Sequence, residues 1–275
     1  MENHEVQIIR IPLPTPTLKP YSTTNSYLIG NRRESILVDA GYDRQETKDM
    51  LEQAVEKYGL AVPDKIILTH AHRDHAPGVR QLNDWAPVVY CHREEQQDVL
   101  KAIAPWGAVS ALDGDEVLRV AGEEIRVLHT PGHTAGHISL YLPASGILIA
   151  GDNIVEEGTT WIGAPGGDML KYLDSLRSYK SLKLSKIGPG HGDWVLNPYE
   201  KIDFVIRRRL DREKQITDLL KKHGRLTSVQ LTELIYEDTI HPSVFHVAQL
   251  TVEAHLQKLM REGAVFSDEE NYKLA

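Results

Sequence analysis

The stretch THAHRDHAPG, residues 69–78, places three histidines and one aspartate within six consecutive positions. It follows the apolar run KIILT, which is typical of a buried strand, and precedes PGVRQLNDW, which is typical of a helix. Ligands of α/β proteins gather at the carboxyl ends of strands. In an extended segment His70 and His72 point to the same side, whereas Asp74 and His75 enter the following turn. The stretch therefore predicts a site for two metal ions, with a chance surface cluster as the alternative.

Further metal-ligand residues follow downstream. HTPGHTAGH (129–137) holds His133, IAGDN (149–153) holds Asp152, and IGPGHGDW (187–194) holds His191. Each of the three lies at the end of a strand-like run or in a tight turn, where loop-borne ligands are expected on a rigid scaffold. Neighbouring glycines allow the backbone to approach closely where a metal crowds the site.

The sequence has two parts that differ in their predicted secondary structure. Short β-branched runs alternate with helical patterns through the first two thirds, which predicts an α/β domain over residues 1–199. One of these helical patterns begins after Asp168, a residue that can cap a helix. Residues 200–275 are nearly continuously helical and end in a short hairpin pattern, which predicts a small winged-helix-like domain.

Composition excludes several protein classes. The net charge of -8 provides no general attraction to nucleic acid or to anionic lipid. A single cysteine, Cys91, rules out an intrachain disulfide. The first twenty residues lack a signal or transit pattern, and no run approaches the ~20 apolar residues of a membrane span. We therefore expect a cytoplasmic protein without a membrane partner.

The ordered ligands resemble the metallo-β-lactamase superfamily, whose HxHxDH motif, later histidine, aspartate and last histidine fall in the same order across residues 1 to about 195. The resemblance implies an αββα sandwich with the metals at one edge. It also implies a first metal held by three histidines, a second held by an aspartate and two histidines, and one bridging aspartate. In that order these ligands are His70, His72 and His133; Asp74, His75 and His191; and Asp152.

The resemblance also suggests supporting and catalytic residues. Asp39, in ILVDAG, matches a buried aspartate that supports the site, although a plain turn aspartate is the alternative. His137 matches a histidine that supports the ligands or faces the substrate, whereas His129 is expected to be structural. We predict two catalytic residues. Asp74 can also steer a hydroxide or move its proton, and His137 matches a histidine that can face the substrate.

Nitrogen and oxygen ligands without a thiolate suit zinc, with iron and manganese as alternatives. Two zinc ions per chain would share a water, lower its pKa and aim the resulting hydroxide at a carbonyl or phosphoryl centre. The expected chemistry is hydrolysis.

Differences among branches of the superfamily narrow the substrate. Cys91 lies far from the motifs, so the thiolate of one lactam-cleaving branch is missing. TPGHTAGH resembles the glyoxalase II branch, whereas GDNIVEEGTT, GPGHG and the helical tail resemble the beta-lactamase-like protein two group. The mammalian member of that group is described as a single-strand-selective endoribonuclease, and related fungal proteins are described as thioesterases. We place cleavage of an ester, thioester or lactone first, RNA cleavage second and a non-catalytic metal-loaded binding protein third.

The tail itself does not favour nucleic acid. Residues 201–275 contain twelve Lys/Arg and twelve Asp/Glu, and the third helix carries only Lys258 and Arg261. Arg207, Arg208 and Arg209 occupy three sides of the first helix, which predicts a solvated surface. We therefore expect a small acyl substrate. The winged helix would cover the site or pair subunits, which leaves the oligomeric state open, with a homodimer as one alternative.

Trp161, in the glycine-rich segment after Asp152, has two interpretations. It would border the pocket, or it would serve ordinary packing.

Overall fold

The computed structural model describes residues 5–16, 21–236 and 240–275. Part of the N-terminal stretch discussed above lies outside these ranges. The chain divides into two compact units, the first formed by residues 1–130, 136–158 and 181–198 and the second by residues 131–135, 159–180 and 199–275. The domain boundary between residues 199 and 200 stays a prediction.

The first sheet of the first unit has six strands in chain order, with β1 to β3 antiparallel and β3 to β6 parallel. Its strands are β1 (Gln7–Pro14), β2 (Thr23–Gly30), β3 (Ser35–Val38), β4 (Lys65–Ile67), β5 (Val88–His92) and β6 (Ser110–Leu112). Parallel strands need crossover connections, and helices supply most of these here. The connections include α1 (Gln45–Tyr58), α2 (Gln96–Ile103) and the 3-10 helices Pro77–Trp85 and Arg93–Glu95.

Helix α1 illustrates how these helices pack. Leu51, Ala54 and Val55 recur at helical spacing and are buried in one apolar core with Leu37 and other residues of the first sheet. The helix ends at Gly59, whose φ of 62° lies in the left-handed region that glycine adopts at little cost. The crossovers thus cover one face of the first sheet and leave its other face for a second layer.

The second sheet has five strands in the order β11-β10-β9-β8-β7 and is antiparallel except for the pair β10 and β11. Its strands are β7 (Val117–Val120), β8 (Glu123–His129), β9 (Ile138–Leu142), β10 (Ile147–Gly151) and β11 (Lys186–Pro189). One buried core joins Ile29 and Ile67 of the first sheet to Val127, Leu140 and Ile149 of the second. The predicted arrangement of two facing sheets is confirmed.

The second unit contains four helices and a small sheet among the described residues. They are α3 (Met169–Tyr179), α4 (Pro198–His223), α5 (Ser228–Tyr236), α6 (Phe245–Arg261), a 3-10 turn at Pro242–Val244, and the strands β12 (Leu226–Thr227), β13 (Val265–Asp268) and β14 (Asn271–Leu274). Asp168 caps α3 by accepting hydrogen bonds from the backbone N–H groups of Leu170 and Lys171, as predicted. Helices α4 to α6 and the β13–β14 hairpin confirm the predicted winged-helix outline, to which β12 adds a third strand.

The three consecutive arginines of α4 do not share one environment. Arg207 and Arg208 are exposed, as expected for a solvated helix surface. Arg209 is 7% exposed, so the expectation of a solvated side chain is wrong there. Its guanidinium lies 5.7 Å from the ring centroid of Tyr172, so this arginine packs within the unit while its two neighbours face solvent.

Within the described ranges, no helix has both the length and the apolar character needed to cross a membrane.

Candidate metal centre

Six of the seven predicted metal ligands lie in the first unit, in segments that directly follow strands. The HxHxDH segment follows β4, Asp152 follows β10, and His191 follows β11. The six are His70, His72, Asp74, His75, Asp152 and His191. Because β4, β10 and β11 each end in buried backbone, their loops present polar side chains at one end of the sandwich.

A first group of donors contains His70, His72 and Asp152, whose candidate ligand atoms lie within 4.8 Å of one another. His70 is fully buried, and its Nδ1 lies 3.0 Å from the hydroxyl of Thr69. That contact fixes the imidazole orientation and leaves Nε2 as the nitrogen suited to a metal.

A second group contains Asp74, His75 and His191, again with ligand atoms within 4.8 Å of one another. The Nδ1 of His191 donates to the backbone carbonyl of Thr23 at 2.8 Å. A carbonyl oxygen only accepts, so the proton of the neutral ring lies on Nδ1 and Nε2 keeps its lone pair. Nε2 of His191 lies 3.4 Å from Oδ2 of Asp74 and 3.4 Å from Oδ1 of Asp152.

Asp39 supports the second group through hydrogen bonds to His75 and Thr69. It follows β3 with a φ of 57° and accepts three hydrogen bonds of 2.8 Å, from the backbone N–H of Thr69, the hydroxyl of Thr69 and Nδ1 of His75. The φ value lies in the left-handed region, which aspartate tolerates better than most residues. The bond to His75 directs the other ring nitrogen towards the carboxylates of Asp152 and Asp74, at 3.2 and 3.7 Å.

The electrostatics of this cluster favour a cation. Burial lowers the pKa of His75, but the carboxylates of Asp152 and Asp74 outweigh burial and hold that pKa well above its ordinary value. Burial raises the pKa of Asp152, whereas His191 and His75 hold it well below its ordinary range. The same carboxylate raises the pKa of His191 against the effect of burial. Metal binding at such a site must displace protons from the imidazoles.

Two observations fit a divalent ion among these donors. Nε2 of His75 is buried and satisfies no hydrogen-bond geometry with any described residue, including Asp152 at 3.2 Å. A side chain is excluded at position 190, where a Cβ atom would lie 1.9 Å from Oδ1 of Asp152. Gly190 therefore allows the backbone to approach the carboxylate closely, as a crowded metal site requires. The donor set of imidazoles and carboxylates suits zinc, iron or manganese.

His133 lies in the loop of residues 131–135, which belongs to the second unit. Its Nδ1 donates to the backbone carbonyl of Trp161 at 2.9 Å, so Nε2 is again the nitrogen suited to a ligand role. Its membership in the first metal set stays a proposal.

The two other histidines of HTPGHTAGH occupy different places. His137 is fully buried, and its Nδ1 lies 3.1 Å from the hydroxyl of Thr130. His129 stacks on His92 with ring centroids 3.8 Å apart and planes 12° apart. Glu94 lies within ligand range of this pair, but the lone pairs of nearly parallel rings do not converge on one ion. The stack therefore suits the structural role expected of His129.

Sequence reasoning missed the contribution of β2 and the residues before it. The hydroxyl of Thr24 donates to Oδ2 of Asp74 at 2.8 Å, and Thr23 holds His191 through its carbonyl. The ring of Tyr21 stacks on His191 with centroids 5.4 Å apart. Burial raises the pKa of Tyr21 to about 12, so its hydroxyl stays protonated. No spacing or residue type in YSTTNS indicates such a role, because it arises from the pairing of β1 and β2 beside β11.

Comparison with known proteins is consistent with this geometry. Residues 21–191 match the family model of the metallo-beta-lactamase superfamily, and residues 227–273 match that of the beta-lactamase associated winged helix domain. A beta-lactamase-like protein 2 homolog of Caenorhabditis elegans is 34% identical over 250 residues, covering 88% of this chain and 80% of that protein. An atrochrysone carboxyl ACP thioesterase of Emericella nidulans is 27% identical, covering 88% of this chain and 76% of that protein. A metallo-beta-lactamase family protein from Thermus thermophilus has a crystal structure similar over 98% of both chains, with a TM-score of 0.82 and 25% identity.

Proposed function

This chain belongs to the metallo-β-lactamase superfamily and is a metal-dependent hydrolase, and we propose that it uses two metal ions to cleave a carboxylic ester, thioester or lactone. The predicted family, its group and its fold class are confirmed by the two matched domains and by the similarity to beta-lactamase-like protein 2 homologs.

The observation that carries the proposal is the position of Asp152. Its carboxylate belongs to the group that contains His70 and His72, and its Oδ1 also faces Nε2 of His75 and His191 at 3.2 and 3.4 Å. Only a carboxylate can offer one oxygen to each of two ions. We propose that His70, His72 and His133 would hold a first ion, that Asp74, His75 and His191 would hold a second, and that Asp152 would serve both.

Two bound divalent ions would lower the pKa of water and polarise the substrate carbonyl. We assign to Asp74 the orientation of the attacking water and the acceptance of its proton, and the hydrogen bond from Thr24 at 2.8 Å, which fixes one of its oxygens, supports that role. The catalytic role of His137 stays a prediction. Its complete burial favours the alternative, in which it supports His70, whose ring centroid is 5.4 Å away.

Similarity to an ACP thioesterase supports an acyl substrate, and we therefore propose a thioester as the first substrate class to test. The charges of α6 argue against RNA. Lys258 is 5% exposed and donates to Glu213 and Glu262 at 2.8 Å, while Arg261 pairs with Asp168 at 2.6 Å. The only two cations predicted to reach a groove from this helix are thus engaged within the second unit, whereas phosphate binding needs cations that are available to the backbone.

The proposal is tested by assaying the full-length, zinc-loaded protein on an acyl thioester, a lactone and single-stranded RNA. We expect turnover of the thioester or lactone, and loss of nearly all of it in Asp152→Ala together with release of both metals. Asp49→Asn, an exposed change on α1, serves as the matched control. Cleavage of RNA alone, or an Asp152→Ala protein that keeps both metals and near-normal rates, would refute the proposal.

A further inference from the structure

The orientation of His133 depends on the backbone of another loop. The carbonyl of Trp161, which accepts the hydrogen bond from His133, lies between β10 and α3 in a segment without regular secondary structure. The backbone of the His133 loop is held separately, because the N–H of Asp168 donates to the Gly132 carbonyl at 2.8 Å and the hydroxyl of Ser175 donates to the Pro131 carbonyl at 2.7 Å. The ring and the main chain of His133 therefore have different anchors.

Two hydrogen bonds join the Thr160–Trp161 segment to the winged-helix part of the second unit and so position the backbone that carries the Trp161 carbonyl. Arg209 of α4 donates to the carbonyl of Thr160, the preceding residue. The indole Nε1 of Trp161 donates to the carbonyl of Val247 in α6 at 3.2 Å. The indole also packs over Gly163, where a Cβ atom would lie 2.6 Å from the ring. The packing interpretation of Trp161 is thus supported within this unit.

The burial of Arg209 indicates that its contact is not incidental. Removing a guanidinium from water is costly unless it gains hydrogen bonds or ring contacts in return. Arg209 is 7% exposed and exchanges water for the Thr160 carbonyl and the face of Tyr172. Arg208, the next residue back along α4, remains exposed and supplies a matched comparison.

We propose that Arg209 is a positioning residue for the metal site: by holding the Thr160–Trp161 backbone, it sets the ring orientation of His133. This inference rests on the proposed ligand role of His133. It assigns the winged-helix part of the chain a function in metal retention, separate from substrate or partner binding. A hydrogen bond that orients a ligating histidine typically contributes about 10–100-fold to metal affinity. Arg209 acts on the backbone that accepts this bond and not on His133 itself, so its contribution should be about tenfold.

The test measures Co²⁺ affinity of the full-length protein by competition with a chelator, together with the visible spectrum of the bound Co²⁺. Arg209→Met should weaken one of the two Co²⁺ ions by about tenfold and alter its spectrum. Arg209→Lys, which keeps a donor for the Thr160 carbonyl, should recover part of the loss. Arg208→Met should change neither quantity. Trp161→Phe, which removes the indole donor together with the ring atoms over Gly163, tests the other anchor of the same backbone segment if Arg209→Met does not fold.

A double variant separates this inference from the proposed function. If Arg209 acts through His133, adding Arg209→Met to His133→Ala should cause no further loss of Co²⁺ affinity. A His133→Ala protein with unchanged affinity would contradict the proposed ligand set. Weakened binding in His133→Ala but not in Arg209→Met or Trp161→Phe, or fully additive losses in the double variant, would overturn the positioning role alone.

Discussion

Asp39→Asn should weaken the second metal most, because it reverses the direction of the hydrogen bond that orients His75; its effect on the first metal is indirect, through the Thr69 hydroxyl that contacts His70. Oδ1 of Asp39 accepts the N–H of Thr69 at 2.8 Å, so the amide oxygen of an asparagine must stay there. Its amide nitrogen then replaces Oδ2, which lies 2.8 Å from Nδ1 of His75. That nitrogen donates to Nδ1 and forces the imidazole proton onto Nε2, the atom that faces Asp152 and Asp74.

The expected loss follows from the bond involved. A hydrogen bond to a charged group contributes about 1.5–3 kcal/mol, which corresponds to roughly 10- to 100-fold in affinity. We therefore expect the second ion to be released at roughly 10- to 100-fold lower chelator concentration, and the ion on His70 and His72 to be weakened less, because the substitution reaches His70 only through Thr69. Metal stoichiometry and chelator competition measure both, with Asp49→Asn as the control. An Asp39→Asn protein that binds both ions within about twofold of the parent would refute the tautomer argument.

Three other perturbations test separate parts of the structure. Burial lowers the pKa of His255 to about 4, whereas the pKa of a histidine in the unfolded chain is roughly 6.5. The unfolded state therefore takes up the proton first as the pH falls. About 3 kcal/mol of folding stability should be lost between about pH 6.5 and about pH 4. The melting temperature should therefore depend less on pH across that range in His255→Gln than in the parent protein, and an equal pH dependence would contradict the burial effect. Gly190→Ala should displace Asp152, because its Cβ would lie 1.9 Å from Oδ1, and should reduce metal content and turnover together; a fully loaded, active variant would contradict the close-approach argument. RNA binding at physiological salt should be weak and unchanged in the double variant of Arg207 and Arg208 to Ala, whereas tight, salt-sensitive binding lost in that variant would favour a ribonuclease.

The sequence by itself determined the fold class and the candidate ligands. Alternating apolar runs with interleaved helices indicated an α/β domain, and the helical tail indicated the winged helix, whereas the two facing sheets were expected from the family resemblance. Residues such as His70, Asp152 and His191 could be selected as candidates because each follows a strand-like run or lies in a glycine turn, and the structure brings their side chains close to one another. Family resemblance then arranged them into two metal sets.

Only the tertiary structure decided how those ligands are oriented. For His75 and His191 the partner of Nδ1 is distant in the chain: Asp39 for His75, and Thr23 for His191. Helical periodicity likewise gave no reason to separate Arg209 from its exposed neighbours, since its partner, the Thr160 carbonyl, lies 49 positions earlier in an irregular loop. Such contacts depend on which loops the packed sheets and helices bring together, and no local pattern of residues encodes that.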